Sequence, residues 1–345
     1  MNKFLQTIAE EKNGFSFGKS WRYSEDSLVA LLPILRKSRE KRKYILLREA
    51  EKIEVFDTGN INKIRILNNE KKPIFVRMGE IFVGKTQGRT TIRSYVIMPG
   101  EKTEIEVRCI HASKPINSGS SMVQSGLMTS NFDSLFSWHS FKDRSVSQRT
   151  VWNTISETSN SFCNTLFELA SDGTIDSTIG SSNVWTTEEF LAAGGESSSY
   201  NWSFRNIFND DFKNNLDEFS KRIEKILSEV PILKDQVGLV TLDLNGVTGL
   251  EVFDLKDSWK ALREDIIKRE GEKLSKIQKD SPFEYKKGKA VKIVKNLLKK
   301  DFEEKVIFKN KDYRILGLNS EKFTGEITEL HGRVIHCTLV RKKGK

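Results

Sequence analysis

Cysteine is scarce in this 345-residue chain. Cys109, Cys163 and Cys337 are too few and too scattered to staple a protein of this size, which points to a reducing compartment. No uninterrupted apolar run approaches the ~20 residues that cross a bilayer, so no membrane association is expected. The opening Met1–Leu5 is followed by Glu10, Glu11 and Lys12, which leaves no room for the apolar stretch of a secretion signal. A soluble protein of the cytoplasm is the expectation.

Catalytic signatures are also lacking. Gly84-Lys85-Thr86 has no preceding glycine at phosphate-loop spacing, and no Gly-x-Ser-x-Gly elbow occurs. Only four histidines are present, and pairing them with cysteines gives Cys109-x-His111 and His336-Cys337. Neither has ordinary zinc-site spacing, and neighbours on a strand point to opposite faces. No metal and no cofactor are expected, and the strand cysteines read as small buried hydrophobes.

What is present is apolar bulk and positive charge. Hydrophobic residues make up 37% of the chain, with 21 Phe, which excludes wholesale disorder. The net charge of +10 is segregated: Lys256 to Lys311 holds 18 basic residues against 10 acidic ones, a net of +8. Arg36 to Lys43 and Arg341 to Lys345 are smaller basic foci. Such clusters suit phosphates, although Lys-rich helices are more often only solvated faces.

The element pattern reads as α+β, with a β-rich N-terminal part, a helical middle, and a mixed C-terminal part holding two hairpins and basic helices. Residues 1–43 read as an N-terminal basic segment. Residues 44–345 read as one continuous domain, β-rich over 44–112, with Ser-rich loops and a helix over 113–205 and mixed α/β over 206–345. Ser24 to Leu35 suggests a helix start interrupted by Pro33. Glu104 to Cys109 alternates like a half-buried strand, with Ile105, Val107 and Cys109 inward. Ser113 to Ser137 and Ser171 to Ser203 read as loops, and Val146 to Leu169 as a helix. Phe212 to Val230 has helical periodicity. Asn245-Gly246 and His331-Gly332 mark hairpin turns. Lys256 to Lys279 and Lys287 to Lys300 read as helices, the second with an apolar face of Ala290, Val291, Val294, Leu297 and Leu298. Its opposite arc carries Lys289, Lys292, Lys295 and Lys299, the candidate nucleic-acid contacts.

The stretch Gly79-Glu80-Ile81-Phe82-Val83-Gly84-Lys85-Thr86-Gln87-Gly88-Arg89, after Leu67-Asn68-Asn69 and Pro73-Ile74-Phe75-Val76, resembles the signature of the ADP-ribosylglycohydrolase and rhodanese-phosphatase-superfamily-associated protein domain family. Val107-Arg108-Cys109, then Gln148 and Trp152, Gln236-Val237-Gly238, and Gly332-Arg333-Val334-Ile335-His336 match later blocks in order. One block departs: Cys109 is followed by Ile110-His111-Ala112-Ser113, where the family pattern has Val-Glu and then a Gly-Arg-Trp group. The resemblance implies a nucleotide or ADP-ribose context.

Glu80, Gln87 and Arg89 are the candidate ligand-binding residues: a guanidinium grips an anion, an amide reads a polar edge, and a carboxylate accepts from a hydroxyl. The alternative is structural, with Glu80 paired to Arg89 or Arg77. Glu80 and His336 are the candidate acid–base groups. Three functional readings remain open at this point. They are a recognition component for an anionic nucleotide-like ligand or nucleic-acid phosphates, an enzyme on a nucleotide or ADP-ribose type substrate, and a structural protein with a solvated basic face.

Overall fold

The computed structural model describes residues 2–22, 27–84, 88–110, 118–158, 221, 223–270, 273–274 and 287–342. Its largest element is an eight-stranded antiparallel sheet of β1 (Phe15–Phe17), β2 (Ala30–Arg36), β12 (Gln236–Asp243), β13 (Gly246–Phe253), β17 (Arg333–Arg341), β16 (Phe323–Leu330), β15 (Tyr313–Asn319) and β14 (Glu303–Lys309), in that spatial order. Both expected hairpins are present. Positive φ at Gly246, and at His331 and Gly332, lets the two tight turns close.

The run Ala30 to Arg36 is a strand, not the start of a helix. Buried on both faces, it needs no period-2 alternation, and a short apolar run of this kind fits helix and strand equally well by pattern. It pairs with β1 and β12, so residues before position 44 are built into the same sheet as the C-terminal hairpins.

One sheet face is sealed by α1 (Lys3–Ala9) and by the basic helix α6 (Lys287–Leu298). Leu5, Ile8, Ala290, Val294, Leu297 and Leu298 pack there on Val240, Leu250, Val252, Cys337 and Leu339. The other face meets α2 (Ser130–Phe141), α5 (Lys256–Lys268) and the N-terminal β structure. Within the span expected to be Ser-rich loop, the chain instead forms β11 (Met122–Leu127) and α2. Residues 148–158 are helical (α3), as are residues 223–229 (α4). Phe212, Leu216, Phe219 and the stretch 171–203 lie outside the described residues.

The N-terminal β structure is a six-stranded antiparallel barrel. Its order is β11, β7 (Glu80–Gly84), β8 (Arg89–Thr91), β10 (Lys102–Cys109), β5 (Lys63–Asn68) and β4 (Ile53–Asp57). The ends join through the Phe56–Ser121 bridge and a 3.0 Å hydrogen bond from the Asp57 amide to the Ser120 carbonyl. Inward positions alternate along each strand, so Val55, Ile64, Ile66, Phe82, Ile105, Val107 and Met122 fill the lumen, as the Glu104 to Cys109 pattern predicts. Ile74, Val76, Tyr95 and Ile97, from a small sheet of β3 (Ile45–Leu46), β6 (Ile74–Val76) and β9 (Tyr95–Ile97), extend this core.

Candidate functional site

The strand register sets the places of the residues singled out by motif. Phe82 lies opposite both Arg89 and Gln124, so Arg89 and Glu80 share the inward face of the barrel and sit in adjacent rows. Each has its own partner. Arg89 reaches Asp57 at 3.2 Å, and Glu80 accepts a 2.9 Å hydrogen bond from the Gln124 amide. Neither of the expected pairings of Glu80, with Arg89 or with Arg77, is the bond formed. Both side chains are buried. Burial pushes the Glu80 carboxyl up to about 8, against the opposing bond from Gln124. Gln87 and His111 lie outside the described residues.

His336 lies on the face of β17 that looks toward the barrel, while its neighbour Cys337 packs in the opposite layer, as strand alternation requires. The His336 ring sits 5.3 Å from Phe75 and 4.8 Å from Phe253, centroid to centroid. Its Nε2 is 2.8 Å from Glu251 Oε1. Burial lowers its proton affinity against the pull of Glu251, so Nε2–H donates from a neutral ring.

That bond is the edge of a larger network outside the motif residues. Arg77, just past the end of β6, donates from Nε to Glu251 Oε1 at 2.5 Å and from Nη2 to Asp133 Oδ2 at 2.6 Å. Arg269, at the C-terminal end of α5, meets the same two carboxylates, Asp133 at 2.6 Å and Glu251 at 3.0 Å. Two guanidiniums and two carboxylates therefore close an alternating ring. It ties the barrel side (Arg77), α2 (Asp133), the large sheet (Glu251) and α5 (Arg269) together. Burial alone would raise the Glu251 carboxyl, but Arg77, Arg269 and His336 hold it well below the usual carboxylate range. Glu326 stands in the same cross-strand row on the next strand but one, with Thr338 of β17 between it and Glu251. It accepts from the Ser94 amide at 3.2 Å and from the Ser94 hydroxyl, and burial pushes it up to about 7. The sequence signal for this network is a lone charge within or directly after an apolar strand: Glu251 between Leu250 and Val252, and Arg77 after Ile74-Phe75-Val76.

A second feature is open. A groove of about 730 Å³ is lined by Asn131, Ser134, Leu135 and Trp138 of α2, Thr154 and Glu157 of α3, and Glu321, Lys322, Arg341 and Lys342. The α2 residues recur at i, i+3, i+4 and i+7, one helical stripe. The adjacent stripe of Phe132, Asp133, Phe136 and Ser137 is buried. One helix thus presents Asp133 to the ring and Trp138 to the groove. The Lys342 ammonium stands 4.3 Å and the Lys142 ammonium 4.9 Å from the Trp138 ring centroid. Lys342 donates to the Ser320 carbonyl at 2.6 Å, and burial together with the nearby Lys142 charge lowers its proton affinity. Arg341 is held bidentately by Asp243 at 2.7 Å and 3.0 Å.

On α6, Ala290, Val294, Leu297 and Leu298 are buried and Lys289, Lys292 and Lys299 exposed. Lys295 departs from the expected solvated arc: it is half-buried and bonded to Glu11 at the end of α1. Among the described residues no group of His, Cys, Asp and Glu has the arrangement of a metal site, and Cys109 and Cys337 are buried and in no disulfide.

Comparison with protein families decides kinship. The ARG and Rhodanese-Phosphatase-superfamily-associated Protein domain matches residues 14–340. The chain belongs to this family. No curated protein and no solved structure matches it. Family membership thus covers both the barrel and the large sheet, and the buried ring lies wholly within the matched span.

Proposed function

We propose that this protein is a recognition component that binds an anionic, nucleotide-like ligand in the groove along α2. The observation that carries the reading is a concavity of about 730 Å³ lined by Trp138, Lys322, Arg341 and Lys342, with the Lys342 ammonium over the Trp138 ring. That size falls in the range of roughly 300–1,000 Å³ typical of small-molecule sites. Basic side chains along one wall of such a concavity favour an anionic ligand. Support for binding over turnover comes from the candidate acid–base groups, since Glu80 and His336 are both buried and bonded to protein side chains. The family's name associates its members with ADP-ribosylglycohydrolase, which fits a nucleotide context by analogy.

Mass spectrometry of small molecules retained by the purified protein tests the reading. A nucleotide-like anion that disappears on substituting Trp138 is the expected result. Conversion of that ligand to product, dependent on His336 or Glu80, would replace recognition by catalysis. A second reading, binding of nucleic-acid phosphates along α6, is favoured by the exposure of Lys289, Lys292 and Lys299.

A further inference from the structure

The ring uses only two of the three nitrogens of Arg269. Nη1 meets Asp133 and Nη2 meets Glu251, whereas Nε is buried and has no hydrogen-bond partner among the described residues. The next residue, Glu270, faces that nitrogen. Its Oε1 stands 3.8 Å from Arg269 Nε, beyond the length of a hydrogen bond, while its Oε2 is taken by Lys273 at 2.9 Å. The two side chains are 5% and 6% exposed, so the donor and the carboxylate oxygen on either side of this gap are both costly to leave without a bridge. The room for a bridge is present. A cavity of about 20 Å³ is bounded by Arg269, Glu270 and Glu251, with the hydroxyl-bearing Ser130, Thr241 and Thr248 around it. We infer that this cavity is a binding site for one water molecule, which accepts from Arg269 Nε and donates to Glu270 Oε1, and so makes Glu270 the third carboxylate held by Arg269.

Size and charge select the ligand. A single water needs roughly 10–15 Å³ of such space, so this cavity admits one and no organic group. A cation is opposed by Arg269 and by Lys273, whose ammonium donates to Ser130 at 2.6 Å and to Glu270 at 2.9 Å. An anion is opposed by Glu251 and Glu270 on the wall itself. What suits this balance is a neutral molecule that both donates and accepts. Burial would raise the Glu270 carboxyl, but Lys273 and Arg269 hold it low, so Oε1 accepts as a carboxylate oxygen. Ser130 offers a further partner, since its oxygen accepts from Lys273 and its own hydrogen remains to be given. The bridge thereby joins the end of α5 to the ring by a third link, beside the direct bonds to Asp133 and Glu251.

A crystal structure of the full chain at a resolution that shows ordered waters tests this, together with solution NMR of the Arg269 Nε–H. One water peak at about 2.7–3.2 Å from both Arg269 Nε and Glu270 Oε1 is expected, with a cross-peak between that hydrogen and a long-lived water. Glu270→Gln should keep both signals, because the amide oxygen accepts in place of the carboxylate. Glu270→Leu should lose both, with folding checked by its urea midpoint; if this variant does not fold, the wild type and Glu270→Gln decide. Direct contact of Arg269 Nε with Glu270 and no water peak overturns the inference. So does a water that stays in place in folded Glu270→Leu. Anomalous signal from bromide at the site, after soaking the crystal, would assign it to an anion and overturn the inference as well.

Discussion

Glu80 and Glu251 are the same residue type, both buried in β-strands, and their surroundings drive them in opposite directions. In the barrel lumen Glu80 meets one amide, and burial raises its carboxyl to about 8. On the large sheet Glu251 meets two guanidiniums and a histidine, and these hold it well below the usual range. Burial does not fix the state of an acid; the donors and charges around it do. The groove on α2 differs again, with Glu157 and Glu321 lining it beside Lys322, Arg341 and Lys342 and no closed ring among them. The ring ties barrel, sheet and helices together, whereas the groove is the place proposed for a ligand.

Breaking the ring should have the largest effect. Asp133→Asn or Glu251→Gln leaves two guanidiniums facing one carboxylate in a dry interior, and a loss of ~3–5 kcal/mol in unfolding free energy is expected. Urea denaturation measures it. Lys142→Gln, or Lys322→Gln in the groove, should stay within ~0.5 kcal/mol by the same measurement, as most surface substitutions do.

Changing pH separates the two acids next. Glu80 has a folded-state value of about 8, above its ordinary 4.5, so its protonated form contributes stability fully below pH 4.5, and that contribution is lost as pH rises through 8. Glu326 behaves alike, with loss as pH rises through about 7. Glu251 has the reverse sign: its contribution is present above pH 4.5 and lost as pH falls toward its depressed folded value. Glu80→Gln should therefore flatten the decline in stability between about pH 5 and 9 and make the variant comparatively more stable at the alkaline end, by a few kcal/mol at most. His336 also has the acid-side sign, because its folded value lies below 6.5 and stability falls as pH drops through 6.5. Unfolding midpoints of the wild type, Glu80→Gln and His336→Gln across the same range check these signs.

Much of the scaffold behind this contrast is legible in the sequence, because it is local. The alternation in Glu104 to Cys109, the turns at Asn245-Gly246 and His331-Gly332, and the apolar stripe of α6 each need only neighbouring residues to be read. Strand β2 misleads because its burial on both faces erases the period-2 signal. The ring is harder still: Arg77 and Glu251 are 174 positions apart, and Asp133 and Arg269 are 136. Its members come from four elements, and no spacing rule links them. Of the residues singled out by motif, His336 touches the ring, whereas Glu80 and Arg89 line the barrel. Trp138, Lys142 and Lys342 converge only through the packing of α2 on β16 and β17.

The smallest effect is expected at α6. Replacing Lys292, Lys295 and Lys299 by Gln should leave the fold in place, because the buried face is untouched, with a slight cost from removing the Lys295–Glu11 bond. If α6 binds nucleic acid, the log–log salt slope of RNA binding should flatten by roughly one unit for each lysine that neutralises a phosphate. An unchanged slope makes the helix a solvated face and sharpens the contrast in favour of the groove.

The central claim, that the ring is a single cooperative clamp between barrel and sheet, is tested most directly by a double-mutant cycle on Arg77 and Glu251. Urea unfolding of Arg77→Met, Glu251→Gln and the double variant gives their coupling free energy. The account predicts strong coupling, ~2–3 kcal/mol, with the double variant less destabilised than the sum of the singles because each single strands a buried charge. Additivity within ~0.5 kcal/mol would contradict it, showing that the two side chains act independently and that no clamp joins the two halves.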